Sequence, residues 1–260
     1  MQTAAPPVQF DRDAYVDLLK RSITNYHYLG QEASFEQFRC VSHYDMDQSE
    51  WKIDRSVQPT TLLRKGQLDL IEQAVVAIEA ARVPGDYIEA GVWRGGVIIL
   101  LRALLGAYHI ADRRVFAADS FAGIPLNTRA QNDPVDQWSD RWVAGLDEVK
   151  RNIERFGMLD ERVRFVPGFF ADTLHTLATE RFSLIRLDSD SYDSVETSLE
   201  YLYPRLSDGG IVIIDDWHLP GCRMAVTDYR DYFGITDPIY EHDANAYWTR
   251  NGRNPLPGLV

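Results

Sequence analysis

The sequence of 260 residues has few cysteines and few basic residues, and each shortage excludes a class of protein. Its two cysteines, Cys40 and Cys222, stand far apart and form no Cys-x-x-Cys or zinc-binding pattern, so we predict two free thiols in a reducing compartment. There are 27 lysine and arginine residues against 39 aspartate and glutamate residues, a formal net charge of −12. Because proteins that neutralise many phosphates carry the opposite balance, we expect neither nucleic acid nor an anionic membrane as a partner.

Long apolar runs and a secretory leader are missing as well. The first residues have neither the basic start nor the apolar centre of a signal peptide. The most apolar stretch, residues 97–110, is interrupted by Arg102 and is too short to span a bilayer. With 45% hydrophobic and 25% charged residues, the composition is that of a globular protein, and we predict a soluble, cytoplasmic one.

The sequence is organised around a glycine-rich stretch at residues 86–96, Asp-Tyr-Ile-Glu-Ala-Gly-Val-Trp-Arg-Gly-Gly. The pattern predicts a strand, a tight turn and an apolar helix, whose N-terminus offers N–H donors to a ligand. The spacing is not the G-x-G-x-x-G of dehydrogenases. Glu89 followed by Gly91 and Gly95 is instead typical of a loop that binds S-adenosylmethionine, the alternative being an ordinary strand-to-helix turn.

Further along the chain, apolar strands alternate with amphipathic helices, a pattern that predicts an α/β fold with a mostly parallel sheet. Two helices, at 11–26 and 66–82, precede the first strand. The later strands are predicted at 114–118, 163–166, 182–187 and 210–214, with two short ones near Ile239 and Tyr247. We therefore expect a doubly wound sheet with helices on both faces.

The region before the first strand contains an irregular segment at 27–60 that is rich in aromatic and acidic residues. A segment this long is uncommon inside a compact domain unless it forms a lid or a binding loop, and an oligomer contact is the alternative. We predict N-terminal helices and a lid over residues 1–83 and a Rossmann-like domain over 84–260, together forming one compact unit.

Acidic residues end three of the predicted strands. Asp119 follows the second strand, where an acid accepts hydrogen bonds from ribose hydroxyls in doubly wound sheets, although a strand-end cap is the plain alternative. Asp188 and Asp190 follow the fourth strand, and alternation along a strand would direct both to the same side. Asp215 and Asp216 follow the fifth.

If the fourth and fifth strands are neighbours, these last four carboxylates meet at the carboxyl edge of the sheet. Arg186 is the one basic residue close to them in sequence, so the cluster should hold a cation or some protons. Oxygen ligands favour Mg²⁺ or a similar ion. A solvated acidic rim is the alternative.

These motifs together resemble the macrocin O-methyltransferase (TylF/MycF-type) family of S-adenosylmethionine-dependent sugar O-methyltransferases. The likeness runs from about residue 15 to Trp248 and is carried by residues 15–21, 91–96, 119–123, 165–168, 188–192 and 213–216. It implies a Rossmann-like class I methyltransferase fold, S-adenosylmethionine and Mg²⁺ as cofactors, and methylation of a sugar hydroxyl on a glycosylated natural product in antibiotic biosynthesis. We also expect a homo-oligomer.

The resemblance implies a role for each matching residue. Asp188, Asp215 and Asp216 are expected to bind the metal, and Asp190 to act as the general base. His218, two residues after Asp216, is the competing base. The expected cofactor contacts are Thr61, Glu89, Gly91, Gly95, Asp119, Ser120, Gly168 and Phe169.

Three alternatives stay open from the sequence. A metal-dependent hydrolase could use the same aspartates, but it would have no need of an adenosine site. A binding protein could keep the fold without chemistry, but an unused carboxylate cluster is unfavourable. Within methyltransferases, a catechol-like phenolic acceptor would also chelate the metal.

Overall fold

The computed structural model describes residues 10–26, 59–126, 133, 142–254 and 256. The chain enters through helices α1 (Arg12–Ile23) and α2 (Lys65–Ala80), close to the predicted bounds. The predicted lid lies outside the described residues except for its last two positions, 59 and 60. Within the described residues, no helix is both long and apolar enough to cross a membrane.

Within the described ranges, seven strands form one sheet in the order β3-β2-β1-β4-β5-β7-β6. Strands β1 to β5 pair in parallel, whereas β7 is antiparallel to both β5 and β6. The strands are β1 (Asp86–Ala90), β2 (Val115–Asp119), β3 (Val163–Pro167), β4 (Phe182–Leu187), β5 (Leu206–Ile214), β6 (Tyr240–His242) and β7 (Asn245–Thr249). The predicted parallel sheet is therefore confirmed, with two antiparallel strands at one edge.

The helices that connect the strands lie where apolar periodicity placed them, with two differences. They are α3 (Gly96–Ala107), α4 (Leu146–Arg155), α5 (Phe170–Thr173), α6 (Tyr192–Leu202) and α7 (Pro220–Phe233). The short helix α5 and the 3₁₀ turn after it were not predicted, because four residues are too few to show a period. The apolar pattern predicts one helix over 192–206, but the helix ends at Leu202, because a 3₁₀ turn containing Pro204 follows it.

Both faces of the sheet are buried, as a doubly wound fold requires. On β5, Ile211 and Ile213 join the core under α1 to α4, while Val212 and Ile214 join the core under α6 and α7. The parallel strands β1, β2, β4 and β5 all end on one edge of this sheet. Ligands bind at that edge in such folds, and the candidate site lies there. The predicted boundary between an N-terminal part, residues 1–83, and a Rossmann-like domain, residues 84–260, stays a prediction.

Candidate active site

The glycine-rich loop between β1 and α3 is held against two other segments of the carboxyl edge. Gly91 has φ +93°, and a Cβ atom there would lie 1.6 Å from the carbonyl oxygen of Asp188, so this position admits no side chain. Its N–H donates to the carbonyl of Ala118 at 2.8 Å. Trp93 also has positive φ, +41°, and its ring meets that of Trp142 edge-on at 6.0 Å. The loop is thus fixed between β2 and the chain after β4.

Asp119, at the end of β2, holds the same loop by accepting hydrogen bonds from its backbone N–H groups. Its Oδ2 accepts hydrogen bonds from the N–H groups of Val92 at 2.7 Å and Trp93 at 3.2 Å, and its Oδ1 accepts one from Phe121 at 2.7 Å. Burial raises the pKa of Asp119, and these three N–H groups oppose that rise. Oδ2 already accepts two hydrogen bonds, whereas Oδ1 accepts one, because the Ser120 hydroxyl 3.5 Å away donates to the carbonyl of Gly123 at 2.6 Å; Oδ1 can therefore still accept from a ligand.

A cavity of about 950 Å³ opens above the loop and reaches the ends of β4 and β5. Six of the eight predicted cofactor residues line it: Thr61, Glu89, Gly91, Asp119, Ser120 and Phe169. Gly95 and Gly168 are not among its lining residues. Gly95 has φ +88°, and its Cβ would lie 3.0 Å from Cγ1 of Val149, so the packing of α4 against the loop accounts for this glycine.

The acids that follow β4 and β5 meet because these strands are neighbours. Leu187 and Ile214 are register partners, so Asp188 and Asp215 follow matched positions at the edge. One carboxylate oxygen from each of Asp188, Asp215 and Asp216 lies within 4.8 Å of the others. This spacing brings three hard oxygen ligands around one point, an arrangement suited to Mg²⁺.

Asp190 joins these acids for a different reason from the predicted one. Strand β4 ends at Leu187, and Asp190 has φ +59°, so strand alternation does not operate here. A left-handed turn brings Asp190 to the cavity that Asp188 also lines. Burial, followed by the negative charges of Asp188 and Asp215, raises the pKa of Asp190 well above its usual range.

Asp216 provides a direct test of whether the cluster fits a metal. Its Oδ2 is buried and has no hydrogen-bond partner in the described structure. Burial and the neighbouring charges of Asp190 and Asp188 raise its pKa well above the usual range. A buried carboxylate without a donor is costly, and a divalent cation among these oxygens would remove the cost and lower the pKa. The residues therefore fit Mg²⁺.

Arg186, the one basic residue close to these acids in sequence, also lies among them in the structure. Its side chain is 1% exposed, and its Nη1 donates to Glu89 Oε1 at 2.5 Å and to Asp188 Oδ2 at 2.9 Å. Its Nη2 forms an ion pair with Asp215 Oδ1 at 2.6 Å. One sequence signal pointed here: Arg186 is a charged residue inside the otherwise uncharged strand Phe182–Leu187.

Glu89 owes this contact to the pairing of β1 with β4, where it is the register partner of Arg186. Its other oxygen, Oε2, is buried without a hydrogen-bond partner. Burial raises the pKa of Glu89 to about 8, although the charge of Arg186 opposes the rise. Glu89 thus joins the glycine-rich loop to the acid cluster through Arg186.

Two buried amides near Asp215 also escaped the sequence analysis. Asn245 Nδ2 donates to Asp215 Oδ1 at 3.0 Å, and Gln67 Nε2 lies 3.3 Å from the same oxygen. Gln67 Nε2 also donates to Asn245 Oδ1 at 2.6 Å. Since they lie 178 residues apart in sequence, no local pattern could pair them.

His218 lines the cavity near the acids, with part of its side chain exposed to solvent. Partial burial, and then the charges of Arg64 and Arg223, lower its pKa. A neutral imidazole at pH 7 can accept a proton, so the structure keeps His218 beside Asp190 as a candidate base.

The glycine-rich loop after β1, Asp119 at the end of β2 and an antiparallel β7 between β5 and β6 together match a class I methyltransferase fold. The family model of the macrocin O-methyltransferases (TylF) matches residues 12–251. The chain belongs to this family and is an O-methyltransferase.

Relatives of known function agree with that assignment. The chain is 42% identical to 8-demethyl-8-(2,3-dimethoxy-alpha-L-rhamnosyl)-tetracenomycin-C 4'-O-methyltransferase of Streptomyces olivaceus, over 92% of this chain and 93% of the relative. It is 38% identical to mycinamicin III 3''-O-methyltransferase of Micromonospora griseorubida, over 92% and 97%. The solved structure of the O-methyltransferase NovP superposes with a TM-score of 0.79 at 34% identity, covering 93% of this chain and 100% of that one. These relatives support O-methylation in antibiotic biosynthesis.

Proposed function

We propose that this enzyme uses S-adenosylmethionine and Mg²⁺ to methylate a hydroxyl of a deoxysugar on a glycosylated natural product. The observation that carries the proposal is the unpartnered carboxylate of Asp216, which lies within a three-acid cluster in the same cavity as the glycine-rich loop. The names of two relatives, which specify a rhamnosyl tetracenomycin and mycinamicin III, support a glycosylated acceptor.

The cofactor end of the cavity has groups suited to a charged amino acid joined to an adenosine. Asp119 retains acceptor capacity for ribose hydroxyls, and Ser120 lies beside it. Phe169, which is 40% exposed, offers an apolar face to a base. The unpartnered Oε2 of Glu89 can accept from a donor at the amino-acid end. Thr61 lines the same cavity, and Gly91 gives the ligand close access to the backbone.

At the other end, Asp188, Asp215 and Asp216 would hold the metal, which supplies Lewis acidity that lowers the pKa of a bound hydroxyl. Methyl transfer forms a bond from the hydroxyl oxygen to the methyl carbon and breaks the bond from that carbon to sulfur, which keeps the electron pair. The hydroxyl proton must go to a nearby base. Asp190 is the proposed acceptor, because its carboxylate faces the cavity among the metal ligands.

Mass spectrometry of reaction products tests this proposal. We expect the purified enzyme, with S-adenosylmethionine and Mg²⁺, to add one methyl group to a glycoside such as a rhamnosyl tetracenomycin or mycinamicin III. EDTA should abolish the product, and Mg²⁺ should restore it more effectively than soft metals do, because the proposed ligands are carboxylates.

The same panel includes a catechol and an acceptor lacking the sugar. Methylation of the catechol alone would replace the sugar acceptor with a phenolic one. Full turnover in exhaustively chelated enzyme would remove the metal from the mechanism. Binding of S-adenosylhomocysteine without methylation of any acceptor in the panel would contradict the proposed acceptor class. The homo-oligomer stays a prediction.

A further inference from the structure

Two of the proposed metal ligands are held in the same way, by one oxygen each. Asp215 Oδ1 accepts hydrogen bonds from Asn245 Nδ2 at 3.0 Å and Gln67 Nε2 at 3.3 Å, and it forms an ion pair with Arg186 Nη2 at 2.6 Å. Asp188 Oδ2 receives Arg186 Nη1 at 2.9 Å. Within the described structure, no donor reaches Asp188 Oδ1 or Asp215 Oδ2. Each carboxylate therefore has one fixed oxygen and one available oxygen.

The side chain of Arg186 is itself held in place, so it can hold the carboxylates that it contacts in fixed positions. Its guanidinium is almost wholly buried and is anchored on Glu89, its partner on the neighbouring strand. A planar fork can direct Nη1 and Nη2 at two different carboxylates at once, which an ammonium group cannot do with the same geometry. Gln67 and Asn245 are buried as well, at 7% and 0% exposure, so the whole set is rigid.

Stability alone does not explain this arrangement. Replacing a buried ion pair by apolar residues often leaves stability unchanged or increases it. A stabilising role alone therefore does not explain why a buried arginine, Arg186, contacts the carboxylate cluster. In metal sites, groups that hydrogen-bond the ligating residues orient them and tune affinity for the ion.

Building on the proposed function, we propose that Arg186, Gln67 and Asn245 form a positioning clamp for the metal site. The clamp holds Asp188 Oδ2 and Asp215 Oδ1 so that the other oxygen of each carboxylate faces the ion. Asp216, which has no such donor, completes the ligand set. The clamp residues do not touch the reacting atoms; they act through the ligands.

The test makes the same substitution, arginine to lysine, at two positions near opposite edges of the sheet. Arg186→Lys keeps the positive charge but loses the planar guanidinium with its two donor nitrogens. Any loss of metal affinity would therefore come from displaced carboxylate ligands rather than from a change in charge. Arg113→Lys is the matched control: Arg113 is also buried, at 7% exposure, and pairs with Glu79 at 2.5 Å and Ser183 at 2.9 Å near the opposite edge. Mn²⁺ serves as the probe, with free Mn²⁺ measured by electron paramagnetic resonance and Mg²⁺ as the competitor.

We expect Arg186→Lys to weaken Mn²⁺ binding by about 10- to 100-fold, the usual effect of removing a group that orients a metal ligand. Arg113→Lys should bind Mn²⁺ within about twofold of wild type, because it lies outside the clamp. Calorimetry with S-adenosylhomocysteine should show a smaller change for Arg186→Lys than the metal titration does. High Mg²⁺ should restore part of its kcat.

A second variant keeps the test decisive if Arg186→Lys does not fold. Asn245→Ala removes one donor from Asp215 Oδ1 and should also weaken Mn²⁺ binding, by about tenfold or less. Wild-type Mn²⁺ affinity in folded Arg186→Lys, or in Asn245→Ala when the first variant is unfolded, would overturn the clamp while leaving the proposed function intact. Absence of a Mn²⁺ site in the wild-type enzyme would overturn the metal part of the proposed function, and the clamp with it.

Discussion

The acids at the two edges of the same sheet differ in how many basic side chains neutralise them. At the amino edge, three acids pair with two arginines: Asp86 accepts from the backbone N–H of Arg114 at 2.6 Å and from its Nη2 at 2.6 Å. Glu180 pairs with the same guanidinium at 2.6 Å, and Glu79 pairs with Arg113.

At the carboxyl edge, five acids share Arg186. Three of them, Glu89, Asp188 and Asp215, contact its guanidinium. Asp190 and Asp216 interact with its charge without contacting it. Negative charge therefore remains in surplus where the strands end and the cavity opens. Acids at the amino edge are thus neutralised by arginines of the fold, whereas those at the carboxyl edge are the acids that we propose bind a cation.

The largest expected effect comes from neutralising one acid at each edge. Asp190→Asn keeps the size of the side chain but removes the proposed base, so kcat should fall at least about 10²-fold with metal and cofactor affinities little changed. Asp86→Asn should leave kcat near wild type and lower Tm instead, because it weakens the pair with Arg114. Steady-state kinetics and thermal denaturation of both variants measure the contrast.

Two further variants separate the base from the metal ligands. Asp216→Asn should lose activity that partly returns at high Mg²⁺, since it removes a ligand charge. His218→Ala should retain most of its kcat. If Asp190→Asn keeps near-normal kcat while His218→Ala is inactive, the proton goes to the histidine.

An intermediate effect is expected at the cofactor end of the carboxyl edge. Asp119→Ala should weaken binding of S-adenosylhomocysteine by about 1–3 kcal/mol, through loss of charge-assisted hydrogen bonds to the ribose. Part of this loss would come from the loop, because Asp119 also holds the N–H groups of Val92 and Trp93. Isothermal titration calorimetry measures it, with Asp160→Ala, which breaks a distant pair with Arg102, as the control. Equal affinity in the two variants would contradict the assignment.

The smallest expected effect is on how stability depends on pH. The pKa of Glu89 is raised to about 8 and that of Asp215 to about 7, both chiefly by burial. An acid with a raised pKa binds its proton more tightly in the folded state, so its stabilising contribution is lost as pH rises through the folded pKa. In EDTA, Tm should therefore fall by a few degrees between about pH 5 and 8.

Two comparisons sharpen that measurement. Mg²⁺ should raise Tm most at the alkaline end of the range, where the carboxylates are charged. Arg102 lowers the pKa of Asp160, which lies before β3, so its contribution has the opposite sign and is lost only as pH falls. Scanning fluorimetry across pH, with and without Mg²⁺, would show a flat profile in EDTA if the acids at the carboxyl edge keep ordinary pKa values.

The sequence by itself determined the order of the strands and of the longer helices, since runs such as Ile211 to Ile214 are typical of strands buried on both faces. It also determined that Asp119, Asp188 and Asp215 would stand at strand ends, and it predicted a tight turn in the stretch that contains Gly91. These features are local, because a few neighbouring residues set both the element and the place where it ends.

The tertiary structure alone decided which groups those acids would meet. Arg186 reaches Glu89 because β1 and β4 are neighbours, although 97 residues separate the two in sequence. Gln67 reaches Asp215 from α2 across 148 residues, and Asn245 reaches it from β7 across 30. The sequence shows which residues are charged. Which residues they contact depends on the strand order and the crossover connections, and no short sequence pattern encodes these.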